Sequence, residues 1–211
     1  MSRCRHPLGD DGGRWLWRGR TVFLLCAWLL VGCTGEVGAG ADAATAPTWT
    51  VGCGRQVGDT VCDVALLGYD HPTSLVPPQH PAFALELSLR TLVQQAPRSR
   101  VLLLLGSSWC TSCQAATAMA VAHFDEISAQ ITVINVLIEG DTPLQPSRKS
   151  HIDAWRKTFK MPFSVVADGF ETPMDARDKL GFREAAILVD RDSGLVVARE
   201  ATLAALWPQL K

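Results

Sequence analysis

The sequence has almost no net charge, no cysteine after Cys113 and no apolar segment of membrane-spanning length near its N-terminus. Its 211 residues include 20 lysines and arginines and 21 acidic residues, so no excess of basic charge favours nucleic acid. The apolar stretch over residues 21–32 has 12 uncharged residues. As a helix it would extend roughly 18 Å, short of the ~30 Å hydrocarbon core of a bilayer. These absences argue against a nucleic-acid-binding protein and against a membrane-spanning helix in this stretch.

The N-terminal region has the features of an export signal. Three basic residues, Arg14, Arg18 and Arg20, precede the apolar stretch, and Cys33 follows it directly. The four residues Leu-Val-Gly-Cys that end at Cys33 resemble the lipobox of bacterial lipoproteins. That resemblance implies a signal peptide over residues 1–32 and a lipid attached to Cys33, which becomes the first residue of the mature chain.

The residues after Cys33 predict a tether. Residues 34–47 are rich in glycine, alanine and threonine and contain almost no large apolar side chain, which is typical of a flexible linker. If Cys33 is lipidated, the residue after it bears on which membrane holds the anchor. By the usual sorting pattern of bacterial lipoproteins, a threonine at position 34 in place of aspartate favours the outer membrane. The alternative is an ordinary secretory peptide, cleaved near residues 39–44, that leaves no anchor.

A Cys-x-x-Cys motif lies between an apolar run and an alanine-rich stretch. Residues 101–105 form a continuous apolar run, typical of a strand buried on both faces, and Cys110 and Cys113 follow where a helix should begin. The unpaired N–H groups and the positive dipole at a helix start favour a thiolate, so the pKa of Cys110 should fall. Half of a zinc site is the alternative, but His123 and His151 stand alone as further ligands. We therefore predict dithiol redox chemistry.

Two further cysteines flank a turn-rich stretch. Cys53 and Cys62 enclose a segment with the residues of a tight turn, and a structural disulfide is the preferred interpretation. Removal of the signal peptide and lipidation of one cysteine would leave four cysteines, an even number that suits an oxidising compartment. A second redox pair and free thiols stay open. A metal set with His71 and His80 is a minor alternative, because zinc ligands usually occur in close pairs.

The apolar pattern predicts alternating strands and helices. Strands are predicted over residues 61–67, 101–105, 131–138, 163–167, 185–189 and 195–199, and helices over residues 83–94, 110–129, 147–160, 174–180 and 201–210. The strand, helix and strand around the Cys-x-x-Cys motif make a right-handed βαβ unit. The last two strands make a hairpin.

This order of elements, with Trp-Cys-x-x-Cys at the first helix of the βαβ unit, resembles the thioredoxin fold. The chain is most similar to exported, membrane-tethered thioredoxin-like proteins of the TlpA and redoxin group, from about Val51 to the C-terminus. The supporting segments are residues 109–113, 155–168 and 187–192. The resemblance implies an α/β domain over residues 48–211 with a central mixed β-sheet flanked by helices. It also implies that Cys110 is the attacking thiol, that Cys113 is the buried resolving thiol, and that Trp109 packs beside their disulfide.

The chain departs from this group in two places. The group has a cis-proline before the strand that corresponds to residues 187–189, but residues 181–186 contain no proline. This loop is expected to be trans, since a cis bond before another residue type costs about 2.5–4 kcal/mol. The group also often buries an acid near the resolving cysteine, at positions occupied here by Leu104 and Ala116. Glu184 is a candidate substitute, and a solvent-exposed loop carboxylate is the alternative.

The sequence therefore predicts a thiol–disulfide oxidoreductase of the bacterial cell envelope, lipid-anchored and facing the periplasm. Its expected partners are protein thiols and disulfides, with no bound cofactor. A peroxiredoxin is disfavoured, because residues 106–108 lack the proline and threonine that such enzymes carry before their cysteine. The second hypothesis is a thioredoxin-like scaffold whose cysteines form only a structural disulfide or capture Cu(I), which soft thiolates suit.

Overall fold

The computed structural model of the protein describes residue 49 and residues 52–70, 82–168, 174–181 and 184–211. The predicted signal peptide, the lipidation site Cys33 and the predicted tether lie outside the described residues, as do His71 and His80. No helix in the described ranges is both long and apolar enough to span a membrane.

The described part of the chain forms one mixed seven-stranded sheet. In chain order the strands are β1 (Ala65–Tyr69), β2 (Phe83–Ser88), β3 (Arg100–Ser107), β4 (Ile131–Glu139), β5 (Ser164–Asp168), β6 (Ala185–Asp190) and β7 (Val196–Glu200). Their order across the sheet is β2-β1-β5-β4-β3-β6-β7. Strand β4 is parallel to both β3 and β5, and the other neighbouring pairs are antiparallel. The prediction of a central mixed sheet is confirmed.

Helices cover both faces of the sheet. They are α1 (Leu89–Gln94), α2 (Thr111–Ala122), α3 (Phe124–Ile127), α4 (Lys149–Phe159), α5 (Asp175–Leu180) and α6 (Leu203–Leu206), followed by a 3-10 turn at Trp207–Gln209. Side chains of a strand alternate between the two faces of the sheet, so β3 contributes side chains to a hydrophobic core on each face. Leu102 and Leu104 pack on the face covered by α2, whereas Leu103 and Leu105 pack on the face covered by α1.

The region predicted as one helix over residues 83–94 is half strand and half helix. Residues 83–88 form β2, which pairs antiparallel with β1, and only α1 is helical. The change occurs at Ser88, whose Oγ accepts a hydrogen bond from the N–H of Thr91 at 3.2 Å and so caps the helix. The local apolar pattern was compatible with a helix, but pairing with β1 determines the outcome.

Other predicted boundaries shift by a few residues. The predicted helix over residues 110–129 is interrupted at His123, between α2 and α3. The predicted first strand begins later, at Ala65, and the last predicted helix contains only α6 and the 3-10 turn. The βαβ unit is present, because α2 and α3 connect the parallel strands β3 and β4. The described residues contain no cis peptide bond, and Phe182 and Arg183 of the loop before β6 lie outside them.

Candidate functional site

The two cysteines of the Cys-x-x-Cys motif form a disulfide bond at the start of α2. Cys110 is the residue that caps the helix, and its Sγ accepts a hydrogen bond from the N–H of Cys113 at 3.2 Å. Cys110 is 7% exposed and Cys113 is 1% exposed. Both cysteines are therefore buried, and the sulfur of Cys110 lies at the positive end of the helix.

Local hydrogen bonds hold the loop that carries the motif. The N–H of Cys110 donates to the carbonyl oxygen of Ser107 at 3.0 Å, and the side-chain amide of Gln114 donates to the carbonyl oxygen of Ser108 at 2.9 Å. The hydroxyl of Ser112 lies 3.3 Å from Sγ of Cys110. These contacts fix the first turn of α2 against the end of β3, so the disulfide has a defined position.

Trp109 is held by a buried carboxylate. Its indole N–H donates to Oε2 of Glu139 at 3.0 Å, and Glu139 is only 3% exposed. The same carboxylate accepts hydrogen bonds from the Ser107 hydroxyl at 3.3 Å and from the N–H of Leu144 at 3.2 Å. Arg177 on α5 brings a guanidinium nitrogen to 3.7 Å from Oε1. This network fixes the indole beside the motif.

Glu139 was not singled out from the sequence. A signal was present, because Glu139 ends the apolar run of β4, and β4 is the parallel neighbour of β3. The carboxyl ends of parallel strands meet at one edge of a sheet, which places such a residue close to a site that follows β3.

Glu184 lies just before β6, at the edge of the sheet where β3 ends, since Ala185 pairs with Leu105. Together with Arg55, Arg199 and Glu200 it lines a shallow cavity of roughly 460 Å³. Burial and the neighbouring charge of Arg55 lower the pKa of Arg199. Within the described ranges, no hydrogen bond joins Glu184 to either cysteine of the motif.

Cys53 and Cys62 form a second disulfide bond, with their Cα atoms 4.7 Å apart. The loop between them is attached to the last hairpin of the sheet. The N–H of Gly58 donates to the carbonyl oxygen of Val196, and the N–H of Val61 donates to that of Gly194, both at 2.9 Å. This disulfide therefore belongs to the packing of the N-terminal segment against β6 and β7.

The described part of the chain contains no group of three or more histidine, cysteine, aspartate or glutamate side chains that could hold a metal ion. His123 lies 3.0 Å from Oε1 of Glu126, and His151 lies 3.3 Å from Oδ2 of Asp141. Each histidine thus contacts an acid on the surface, and neither is close to a cluster of ligands.

The chain is similar in fold to several known structures. The thioredoxin domain of a thiol-disulfide oxidoreductase from Bacteroides vulgatus aligns with 74% of this chain and 99% of its own, at a TM-score of 0.51 and 16% identity. The chain has a thioredoxin-like fold. A thiol:disulfide interchange protein from a Bacteroides species aligns with 74% of this chain and 88% of its own, at a TM-score of 0.51 and 17% identity.

The same fold also occurs in a 2-Cys peroxiredoxin from Plasmodium vivax. Its structure aligns with 73% of this chain and 93% of its own, at a TM-score of 0.50 and 13% identity. No protein-family model and no curated protein matches the sequence. The thioredoxin-like fold is therefore common to several redox activities, and the choice among them depends on the site.

Proposed function

We propose that this protein is a thiol–disulfide oxidoreductase of the bacterial cell envelope, in which Cys110 is the attacking thiol and Cys113 is the resolving thiol. The observation that carries this proposal is the position of Cys110 at the cap of α2, with the N–H of Cys113 directed at its sulfur. After reduction, the same N–H and the positive helix end stabilise a Cys110 thiolate, which is the nucleophilic form of a cysteine.

The proposed exchange proceeds in two steps. In the reductive direction the Cys110 thiolate attacks one sulfur of a partner disulfide, a mixed disulfide forms, and the other partner sulfur leaves as a thiolate. Cys113 then loses its proton and attacks Sγ of Cys110, which closes the Cys110–Cys113 disulfide and releases the second partner thiolate. Two electrons pass from this protein to the partner, and the reverse sequence oxidises a partner dithiol.

The difference in exposure between the two sulfurs supports these roles. A partner protein that approaches from the surface meets Cys110 first, because Cys110 keeps a small exposed fraction and Cys113 keeps almost none. Trp109, fixed by Glu139, flanks that approach and offers an apolar surface to the partner. We assign Glu184 no direct role in sulfur chemistry, since it lines a separate cavity with Arg55 and Arg199.

The proposed location follows from the N-terminal sequence. The basic residues, the apolar stretch and the lipobox-like residues before Cys33 support export and lipid attachment, and the glycine- and alanine-rich residues 34–47 support a tether. We therefore propose a domain that faces the periplasm from the outer membrane, with protein thiols and disulfides as its partners.

The exchange activity is tested by equilibrating the purified full chain with glutathione redox buffers and following alkylation of Cys110 and Cys113. We expect a midpoint between roughly −120 and −270 mV, the range of known exchange proteins. The Cys110→Ser variant should show no such transition. A bond that stays closed well below about −300 mV contradicts exchange and favours the scaffold hypothesis.

A trapping experiment tests the two roles. In Cys113→Ala the mixed disulfide has no resolving thiol, so disulfide-linked adducts of this variant with envelope proteins should accumulate. The matched Cys110→Ala variant retains only the enclosed thiol and should give none. Equal trapping by both variants would contradict the assignment of Cys110 as the attacking residue.

The anchor is tested separately. Labelling of cells with a radioactive fatty acid should mark the wild-type chain, and the Cys33→Ala variant should be unlabelled and released from the membrane fraction. Labelling that persists in Cys33→Ala would contradict lipid attachment at this position.

A further inference from the structure

Asn135 is a polar side chain in the core of the sheet. It lies in the middle of β4 and is 0% exposed. Its Nδ2 donates a hydrogen bond to the carbonyl oxygen of Leu104 at 2.8 Å, which fixes the orientation of the amide. Its Oδ1 is buried and has no hydrogen-bond partner among the described residues. A buried acceptor without a partner is rare and costly, so it requires an explanation.

The environment of Asn135 includes the enclosed cysteine. Strand alternation places Asn135 on the same face as Val133 and Leu137, which pack in the core that contains Cys113. On the neighbouring strand, a Cβ added at Gly106 would lie 3.4 Å from Cβ of Cys113 and 4.0 Å from Nδ2 of Asn135. Cys113 and Asn135 are therefore the two side chains nearest to this face of Gly106.

In the disulfide state Sγ of Cys113 carries no proton that it could donate. Reduction adds two electrons and breaks the bond between the two sulfurs, and Sγ of Cys113 takes up a proton to become a thiol. A thiol is a weak hydrogen-bond donor. Reduction thus gives Cys113 a hydrogen-bond donor in the same region of the core where Oδ1 of Asn135 lacks a partner among the described residues.

We infer that Asn135 is a positioning residue that favours the reduced form of the motif, because its Oδ1 accepts a hydrogen bond from the Cys113 thiol and has no partner when the disulfide is closed. This inference rests on the proposed exchange function. Asn135 is uncharged, so it holds the resolving thiol in its protonated state without introducing a carboxylate into the core. The effect makes the disulfide more oxidising than it would be beside an apolar residue.

A second buried oxygen without a partner in the described part of the chain provides a matched control. Thr117 lies one turn after Cys113 on α2, is 1% exposed, and its Oγ1 also lacks a hydrogen-bond partner among the described residues. Thr117→Val removes this oxygen with little change of shape. Asn135→Leu removes the acceptor from Cys113 at similar volume. If burial of an unpaired oxygen near the motif were all that mattered, both variants would shift the redox equilibrium alike.

The test is the equilibrium constant for reduction of Cys110–Cys113 by glutathione in the full chain. We expect Asn135→Leu to lower this constant about five- to tenfold, where tenfold corresponds to about 30 mV for a two-electron couple. Thr117→Val should leave the equilibrium constant within about twofold of the wild-type value. A twofold change corresponds to less than about 0.5 kcal/mol. An unchanged constant in Asn135→Leu, or equal shifts in both variants, overturns the inference. A wild-type disulfide that does not exchange at all overturns the proposed function instead.

An infrared measurement on the reduced protein keeps the inference testable if Asn135→Leu does not fold. The S–H stretching band of Cys113 is identified by its loss in Cys113→Ala. We expect this band in the wild-type protein at a lower frequency than that of a thiol in an apolar solvent, because hydrogen bonding weakens the S–H bond. A band at the frequency of a free thiol overturns the inference.

Discussion

Glu139 shows how one buried side chain fixes the residue next to a reactive cysteine. Its two carboxylate oxygens accept hydrogen bonds from the Trp109 indole, the Ser107 hydroxyl and the Leu144 N–H. Loss of the carboxylate removes the acceptor that these three donors share. We expect Glu139→Ala to lower the free energy of unfolding by about 2–3 kcal/mol. We also expect the Trp109 indole N–H resonance to shift toward that of a free indole, as measured by denaturant titration and NMR.

The conservative variant separates charge from hydrogen bonding at this position. Glu139→Gln retains an acceptor oxygen for Trp109, so it should lose less than about half of that stability and leave the indole resonance near its wild-type position. If both variants shift the resonance equally, the negative charge of Glu139 and not its acceptor oxygen sets the environment of the indole.

Asp168 makes the stability of the fold depend on pH. It lies at the end of β5, and burial, together with the nearby charges of Asp175 and Asp178, raises its pKa to about 7, although the N–H of Ala176 donates to its carboxylate. Between about pH 4 and pH 7 the folded state holds a proton that the unfolded chain has lost. This contribution to stability therefore falls as pH rises through that window and is constant above it.

Asp168→Asn removes this titration. We expect the variant to gain stability relative to the wild type as pH rises from 4 to 7, by up to about 4 kcal/mol, and to differ by a constant amount above pH 7. Denaturant titrations at several pH values measure the difference. Asp192→Asn, at a carboxylate that is 60% exposed, is the control and should leave the wild-type pH profile unchanged. A profile for Asp168→Asn parallel to that of the wild type would contradict the assignment.

At this scale the sequence predicted the residues within the motif and missed those that surround it. Cys110 and Cys113 were found because three-residue spacing at a helix start is a local pattern. Glu139 and Asn135 come from a strand whose neighbours are set by tertiary pairing, and nothing near them in the chain marks them as neighbours of the motif. Only the register of β3 and β4 brings these four residues together.

At the scale of elements, the close pairing of β1 and β5 depends on a glycine. Gly68 has a φ of +151°, and a Cβ at this position would press against the carbonyl oxygen of Val165 and lie 2.7 Å from Cα of Val166. Both opposing atoms belong to the backbone, so neither moves aside without separating the strands. We expect Gly68→Ala to lower the free energy of unfolding by about 3 kcal/mol or more.

Gly58 provides the comparison for this prediction. Its φ is also positive, at +94°, but a Cβ there has no atom within 4 Å. Gly58→Ala should therefore lose only the conformational contribution, about 1–2 kcal/mol. Denaturant titration of both variants measures the difference between them. Equal losses would show that strand separation adds nothing at Gly68.

The element predicted least well was the region that became β2 and α1. Leu85, Leu87, Leu89 and Leu92 are compatible with a helical face, and the sequence alone predicted a single helix. In the structure residues 83–88 extend the sheet beyond β1, and Leu85 is 63% exposed. An edge strand needs only one partner, and that partner, β1, lies too far back in the chain for a local pattern to indicate the pairing.

At the scale of the whole molecule, the Cys53–Cys62 disulfide holds the N-terminal segment on the last hairpin. The enclosed loop is bonded to Gly194 and Val196. We expect the double variant Cys53→Ala/Cys62→Ala to lose about 2–3 kcal/mol of stability, as the loop-closure entropy of a short ring suggests. Native-state hydrogen exchange should show lost protection at the N–H groups of Val61 and Val196.

The centre of the sheet is the control for that measurement. The N–H groups of β3 and β4 should exchange in the variant only through global unfolding, as in the wild-type protein. Neither strand contacts the loop through the hydrogen bonds described above. Uniform loss of protection across the sheet would show that this disulfide stabilises the whole domain and not one junction.

The overall architecture was predictable because most of its central elements follow one another in the sequence. The strand, helix and strand around the motif, the later helix and the final hairpin follow one another in the chain, and each has its own apolar period. The position of β1 between β2 and β5 was not predicted, since pairing across long stretches of chain leaves no local periodic signal.

That position of β1 has a consequence for how the protein is made. Leu66 in β1 pairs with Asp168 in β5, and the two are about one hundred residues apart in the chain. During synthesis β1 emerges long before its central partner exists, so the sheet cannot close until nearly the whole chain is available. For the exported protein proposed here, we expect this order to delay completion of the sheet until late in synthesis.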